Sequence, residues 1–188
     1  FIRIILLSKG DQLISIINYA NKILVLVNAF TFSIILVGFQ KAISAKNESI
    51  DLFKEDINLN IKRIVHLLIP ISVLISFNSE FIIKVIFERG KFTPETTLST
   101  AYALSVLSLS IFPGTLFGYL IRVYAAFFDR RFYYMSFVLW MVLTIIITAA
   151  LINHFPIISY PLAYMISLII VAFITLNQLN NKINISKI

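Results

Sequence analysis

Five stretches of the chain stay apolar for about the length a membrane crossing needs, and short polar breaks separate them. They run from about Gln12 to Phe39, Ile64 to Ile86, Thr97 to Phe127, Phe132 to Leu151 and Ile157 to Leu176. An α-helix spans the hydrocarbon core of a bilayer with about 20 mostly apolar residues. Phe1 to Leu7 is a shorter apolar run and reads as the end of a sixth helix. The chain opens on Phe1 within that run, so a piece of a longer protein is expected, with further helices upstream. The pattern predicts an all-α, polytopic transmembrane helix bundle, with residues 1–188 as a single unit.

The connections differ in character. Gln40 to Arg63 is the one long polar segment, and Leu52, Phe53, Ile57, Leu59 and Ile61 punctuate its charges. Apolar residues at that spacing predict a short amphipathic helix lying at the membrane surface, residues 41–63 forming a cytoplasmic connection. Glu88 to Glu95 is a tight polar loop, and Asp129 to Arg131 a short basic turn flanked by Tyr124, Tyr133 and Tyr134. Those tyrosines suit an aromatic belt at a membrane interface.

Composition supports the membrane reading. The 188 residues are 59% hydrophobic and 13% charged, against about 25% charged in soluble domains. Long Phe-, Ile- and Leu-rich runs with 5 Gly and 5 Pro fit helices better than the alternating ~10-residue segments of a membrane β-barrel. No Cys is present, which excludes disulfides, thiol catalysis and Cys-based zinc sites. The formal charge of +7 reflects topology rather than nucleic-acid binding, because the basic residues gather at the ends of apolar runs. Placing alternate ends on alternate sides puts ten Lys and Arg with Gln40–Arg63, Arg122–Arg131 and the C-terminal tail, Lys187 included. Four lie opposite: Lys9, Lys84, Arg89 and Lys91. The positive-inside rule makes the richer side cytoplasmic.

Polar residues inside the spans are the candidate chemistry. Lys22 stands near the middle of the first span, where a charge costs several kcal/mol. At ~100° per residue, Asn18, Asn21, Lys22 and Asn28 share about a third of the helix circumference. Two readings fit: a cationic cavity wall meeting an anionic substrate, or a snorkelling lysine with asparagines that stitch helices together. Pro113-Gly114 interrupts the third span among Ser105, Ser108, Ser110 and Thr115. Proline removes a backbone bond, so a kink is expected there, serving as a hinge or cavity lining or reflecting only that membrane helices tolerate both residues. Glu80 and Lys84 suit an i, i+4 pair. His66 and His154 are far apart, without a nearby ligand set, so no metal site is expected. Gly-rich phosphate loops, GxSxG and His-Glu-x-x-His are absent, and neither a catalytic residue nor a cofactor is expected. A membrane enzyme acting on a polyprenyl lipid would have to use the Asp51, Glu55, Asp56 cluster, where a solvated face is the plainer reading.

A longer motif string is more specific. Ile86-Phe87-Glu88-Arg89-Gly90-Lys91-Phe92-Thr93 precedes a Ser/Ala-rich helix that closes with Arg122-Val123-Tyr124-Ala125-Ala126, then Asp129-Arg130-Arg131. With Asn18-Tyr19-Ala20-Asn21-Lys22, this resembles the MurJ/MviN family of lipid II flippases, in the multidrug/oligosaccharidyl-lipid/polysaccharide exporter superfamily. The family pattern is an F-x-x-G-x-F-T loop, a helix ending R-x-F-Y-A, a D-T-R-T-P turn and an N-Y-A-x-R segment. The resemblance implies helices eight to twelve of a larger MATE-like flippase fold. It implies a multi-pass protein of the bacterial inner membrane that moves lipid II or another lipid-linked oligosaccharide by alternating access. It also implies that Lys22 occupies the position of a cavity arginine, with Arg122 on the cavity helix beside the Pro113-Gly114 hinge. Two departures stand out: Lys22 for arginine, a point charge for a bidentate fork, and Phe132-Tyr133 for Thr-Pro. They leave open a different cargo, an O-antigen or exopolysaccharide repeat unit. The implied partners are the lipid-linked substrate and membrane lipids.

Overall fold

The computed structural model describes residues 2–8, 10–90 and 92–183, so Lys9, Lys91 and Lys187 of the charge tally lie outside the described residues. Within them the chain is helical apart from short joints. The helices are α1 (Ile2–Leu7), α2 (Asp11–Glu48), α3 (Ile50–Phe77), α4 (Ser79–Phe87), α5 (Pro94–Leu109), α6 (Ile111–Phe127), α7 (Arg130–Leu151) and α8 (Pro156–Ile183). Five helical stretches are long and apolar enough to cross a membrane: α2, α3, α5 with α6, α7 and α8. The all-α polytopic bundle is therefore the fold observed.

Several joints fall where local chemistry dictates. Gly10 has φ +108° between α1 and α2, a conformation that residues with a Cβ rarely adopt. Ser49 is extended between α2 and α3, and its hydroxyl accepts the Leu52 amide at 3.1 Å. Thr93 caps α5 by accepting from the Thr96 amide, with Pro94 in the first turn. Asp129 caps α7 by accepting from the Arg131 amide at 2.8 Å. Each cap satisfies an amide that the helix itself leaves bare.

Three boundaries differ from the expectation. Residues 41–63 do not form a separate surface helix: α2 continues to Glu48 and α3 begins at Ile50. The segment holds no Pro or Gly to stop a helix. Its apolar spacing belongs to α3, where Phe53, Ile57, Ile61 and Ile64 are buried in one continuous stripe. The second span ends at Phe77, and Asn78 turns the chain into the short α4. The third span breaks at Ser110 rather than at Pro113 itself. Proline at 113 deprives the Leu109 carbonyl of its amide partner and crowds it. The chain responds with a tighter Ser110 amide to Leu107 carbonyl bond at 3.0 Å, and regular bonding resumes from Gly114 to Ser110.

The α5–α6 span is central, packed against α2, α3 and α8. About two-thirds of its most apolar window is buried (67%), against 17% for α7. On α7, Val138, Met141, Val142 and Ile146 point outward, as suits a helix solvated by lipid. Buried hydroxyls turn inward on their own helices: Ser72, Thr115, Thr148, Ser167 and Thr175 each donate to the carbonyl four residues earlier. In hydrocarbon a polar group needs such an internal partner, and small residues there let helices approach closely.

Candidate functional site

The expected polar residues of α2 separate into two concavities. Asn18 and Lys22 are exposed and Asn21 half-buried. They line one open hollow together with Ser15, Tyr19 and Val25. Asn21 also lies beside the Tyr160 hydroxyl of α8. Asn28 lies about 9 Å further along the axis and about 120° around it from Lys22. It lines a second cavity, of about 230 Å³, with Gly114 and Arg122 of α6. Pro113 is buried in the packing and does not line either hollow. The structure thus brings Lys22, Asn18 and Asn21 together, and Asn28, Gly114 and Arg122 together, but not all six.

Lys22 is held by an aromatic base. Its Nζ lies 4.7 Å from the centre of the Tyr19 ring, one helical turn back. Tyr19 is in turn gripped edge-on by Phe87 and Phe92, each with ring centres 5.1 Å away. Those two phenylalanines bracket the polar loop after α4. Gly90, at φ +60°, makes the turn, and the Thr97 hydroxyl donates to Glu88 Oε2 at 2.7 Å across its base. A cation over a ring face is attracted by the ring's quadrupole, so the loop fixes the ring and the ring orients the ammonium. No acidic residue lines this hollow among those described.

The Arg122 Nη1 donates to the Gly118 carbonyl at 2.9 Å, and its guanidinium lies 5.2 Å from the Phe32 ring centre. Phe32 and Trp140, neither singled out by the sequence, complete the wall. The one available signal for Phe32 is its distance of one turn from Asn28. The remaining candidates resolve simply. Asp56 accepts from Asn60 Nδ2 at 2.9 Å, while Asp51 and Glu55 are exposed on α3. Glu80 and Lys84 are both exposed on α4. His66 Nδ1 lies 2.8 Å from the Lys62 carbonyl oxygen of its own helix. Among the described residues, no group of three or more His, Cys, Asp or Glu is placed to hold a metal.

The family model described as "Lipid II flippase MurJ" matches residues 8–187. This chain belongs to the MurJ family. No curated protein and no solved structure matches it. Membership places the chain among multi-pass membrane proteins of a flippase family, transporters rather than enzymes. The MurJ-like string from Ile86 to Thr93 gains a physical meaning from the geometry, since it supplies the clamp on Tyr19 beneath Lys22.

Proposed function

We propose that this MurJ-family chain carries a polyprenyl-diphosphate-linked cell-wall precursor, lipid II or a close analogue, across the bacterial inner membrane. The observation that carries the reading is Lys22. It stands within the apolar run Gln12–Phe39 of α2, exposed to the outside of the described packing, beside Asn18 and over the Tyr19 ring. An ammonium at membrane depth is costly unless it meets water or an anion, and a diphosphate supplies the anion. Alternating access of two helix bundles would present this surface first to one side of the membrane and then to the other. The polyprenyl tail would stay in lipid throughout.

The test is transport by the full-length protein in reconstituted vesicles. Lys22→Ala should abolish most flipping, and Lys22→Arg, which restores the residue of the family pattern, should retain it. Undiminished transport by Lys22→Ala removes Lys22 from the mechanism. A second cargo, an O-antigen or exopolysaccharide repeat unit, is favoured by the turn after α6. There Phe132 packs on Tyr124 with ring centres 4.5 Å apart, where the family pattern has Thr-Pro. Flipping of a lipid-linked repeat unit but not lipid II would select it.

A further inference from the structure

The Arg122 cavity has a composition that the Lys22 surface does not explain. It is about 230 Å³, smaller than the roughly 300–1,000 Å³ typical of pockets for drug-sized ligands, and too small for an oligosaccharide head group. Among its described lining residues Arg122 alone is charged, and none is acidic. Three of the wall's hydroxyl protons are already committed: Thr31 donates to the Asn28 carbonyl, Ser110 to Leu107 and Thr115 to Ile111, while Tyr164 adds a phenol to the lining. What remains is a surplus of donors. Arg122 has five N–H groups and commits Nη1 to Gly118. Trp140 Nε1 is buried without an acceptor. A buried donor left unpaired costs about 1–3 kcal/mol, and a guanidinium in a mostly apolar span adds its own penalty. The guanidinium's cost falls when an acceptor-rich anion enters. Phe32 is exposed at the edge, so the cavity has an opening that a small group can use.

We infer that the Arg122 cavity binds a single phosphate-type oxyanion, separate from the Lys22 surface. A lipid phosphodiester head group and free inorganic phosphate share that chemistry. Arg122 supplies charge and directed N–H groups, with its face held by Phe32. The Trp140 ring forms part of the wall. The site does not require the transport reading, since Lys22 lines a different hollow.

Trp140 is the only tryptophan of the 188 residues and lines the cavity, so it can report occupancy. The experiment uses full-length protein in maltoside micelles, which contain no phosphate, with Trp140→Phe as the spectral blank. Inorganic phosphate and, in a second arm, phosphatidylglycerol are titrated while Trp140 emission is followed. A saturable change with either supports the site. A response to phosphate identifies a free anion as sufficient, and a response to phosphatidylglycerol alone identifies the lipid head group. Arg122→Gln should weaken the apparent affinity about tenfold or more, and Arg122→Lys less. Lys22→Ala should leave the response intact whatever it does to flipping. No saturable response in either arm overturns the inference, as does an unchanged response in both Arg122 variants.

Discussion

Gly38 lies where α2 crosses α3 and α6, and it offers a test of the packing on which both hollows rest. A Cβ added there would sit 3.1 Å from Asn60 Oδ1, 3.1 Å from Tyr119 Cε2 and 3.2 Å from Asn60 Cγ. Neither neighbour can move freely. Asn60 Nδ2 donates to both the backbone oxygen and Oδ2 of Asp56, each at 2.9 Å. Tyr119 is fully buried, at 0% exposure. Overpacking of this kind costs about 1–3 kcal/mol. Alanine's helix propensity advantage over glycine, about 1 kcal/mol in water, is largely lost here, because helices in a membrane persist in the dissociated state. Gly38→Ala should therefore destabilise by about 1–3 kcal/mol.

Gly114 is the internal control, for its added Cβ would meet only Leu168 Cδ1, at an ordinary 3.4 Å. Gly114→Ala should stay within about 0.5 kcal/mol of the parent. The assay is SDS-driven unfolding of the purified full-length protein in mixed micelles, read by circular dichroism. Non-additivity gives a further check: the cost of Gly38→Ala should shrink in an Asn60→Ala background, since one of the two obstructing side chains is gone. A Gly38→Ala protein as stable as the parent, or a Gly114→Ala protein that loses as much, refutes the close crossing.

Two more outcomes follow from single contacts. Tyr19→Leu removes two edge-on aromatic contacts worth about 0.5–1.5 kcal/mol each; it should lower both thermal stability and flipping, while Tyr19→Phe, which keeps the ring, should match the parent. Ser49→Ala removes the hydroxyl that accepts the Leu52 amide, at a cost of about 1 kcal/mol; faster hydrogen exchange in the first turn of α3, with α7 unaffected, is the measurement.

The spans were legible because a long apolar run has few other uses, and the described helices cover the five runs apart from the breaks at Asn78 and Ser110. The joints were legible as polar breaks at Glu88–Glu95 and Asp129–Arg131, though α5 and α7 start inside them, at Pro94 and Arg130. Thr93-Pro94 and Asp129 mark helix starts by side-chain chemistry that any neighbour would leave intact. The 41–63 segment misled for the opposite reason. Its charges suggested a surface element, yet Lys, Glu, Ala and Leu are all good helix formers. A single extended residue, Ser49, was enough to fold one helix back on the other. The break at Ser110 was displaced from Pro113 because the cost of a proline falls on the turn before it.

The candidate site was half legible, and the reason is angular. Asn18, Asn21, Lys22 and Asn28 occupy one arc of α2 when drawn as a wheel, but an arc of about 120° is wider than one neighbouring helix need cover. α6 and α8 pack along one edge of that arc and enclose Asn28. The other edge stays open and keeps Lys22 and Asn18 exposed. Periodicity reports how many polar residues share a face; it does not report where the next helix ends its contact. Arg122 illustrates the same gap from the other side. Nothing in its own helix pairs it with α2, yet Phe32, ten residues along from Lys22, lies against its guanidinium. Ten residues are about 15 Å of helix, half the thickness of the hydrocarbon core. One rigid helix therefore carries a contact for each of two cations at two depths, so any rotation of α2 shifts the surroundings of Lys22 and Arg122 together.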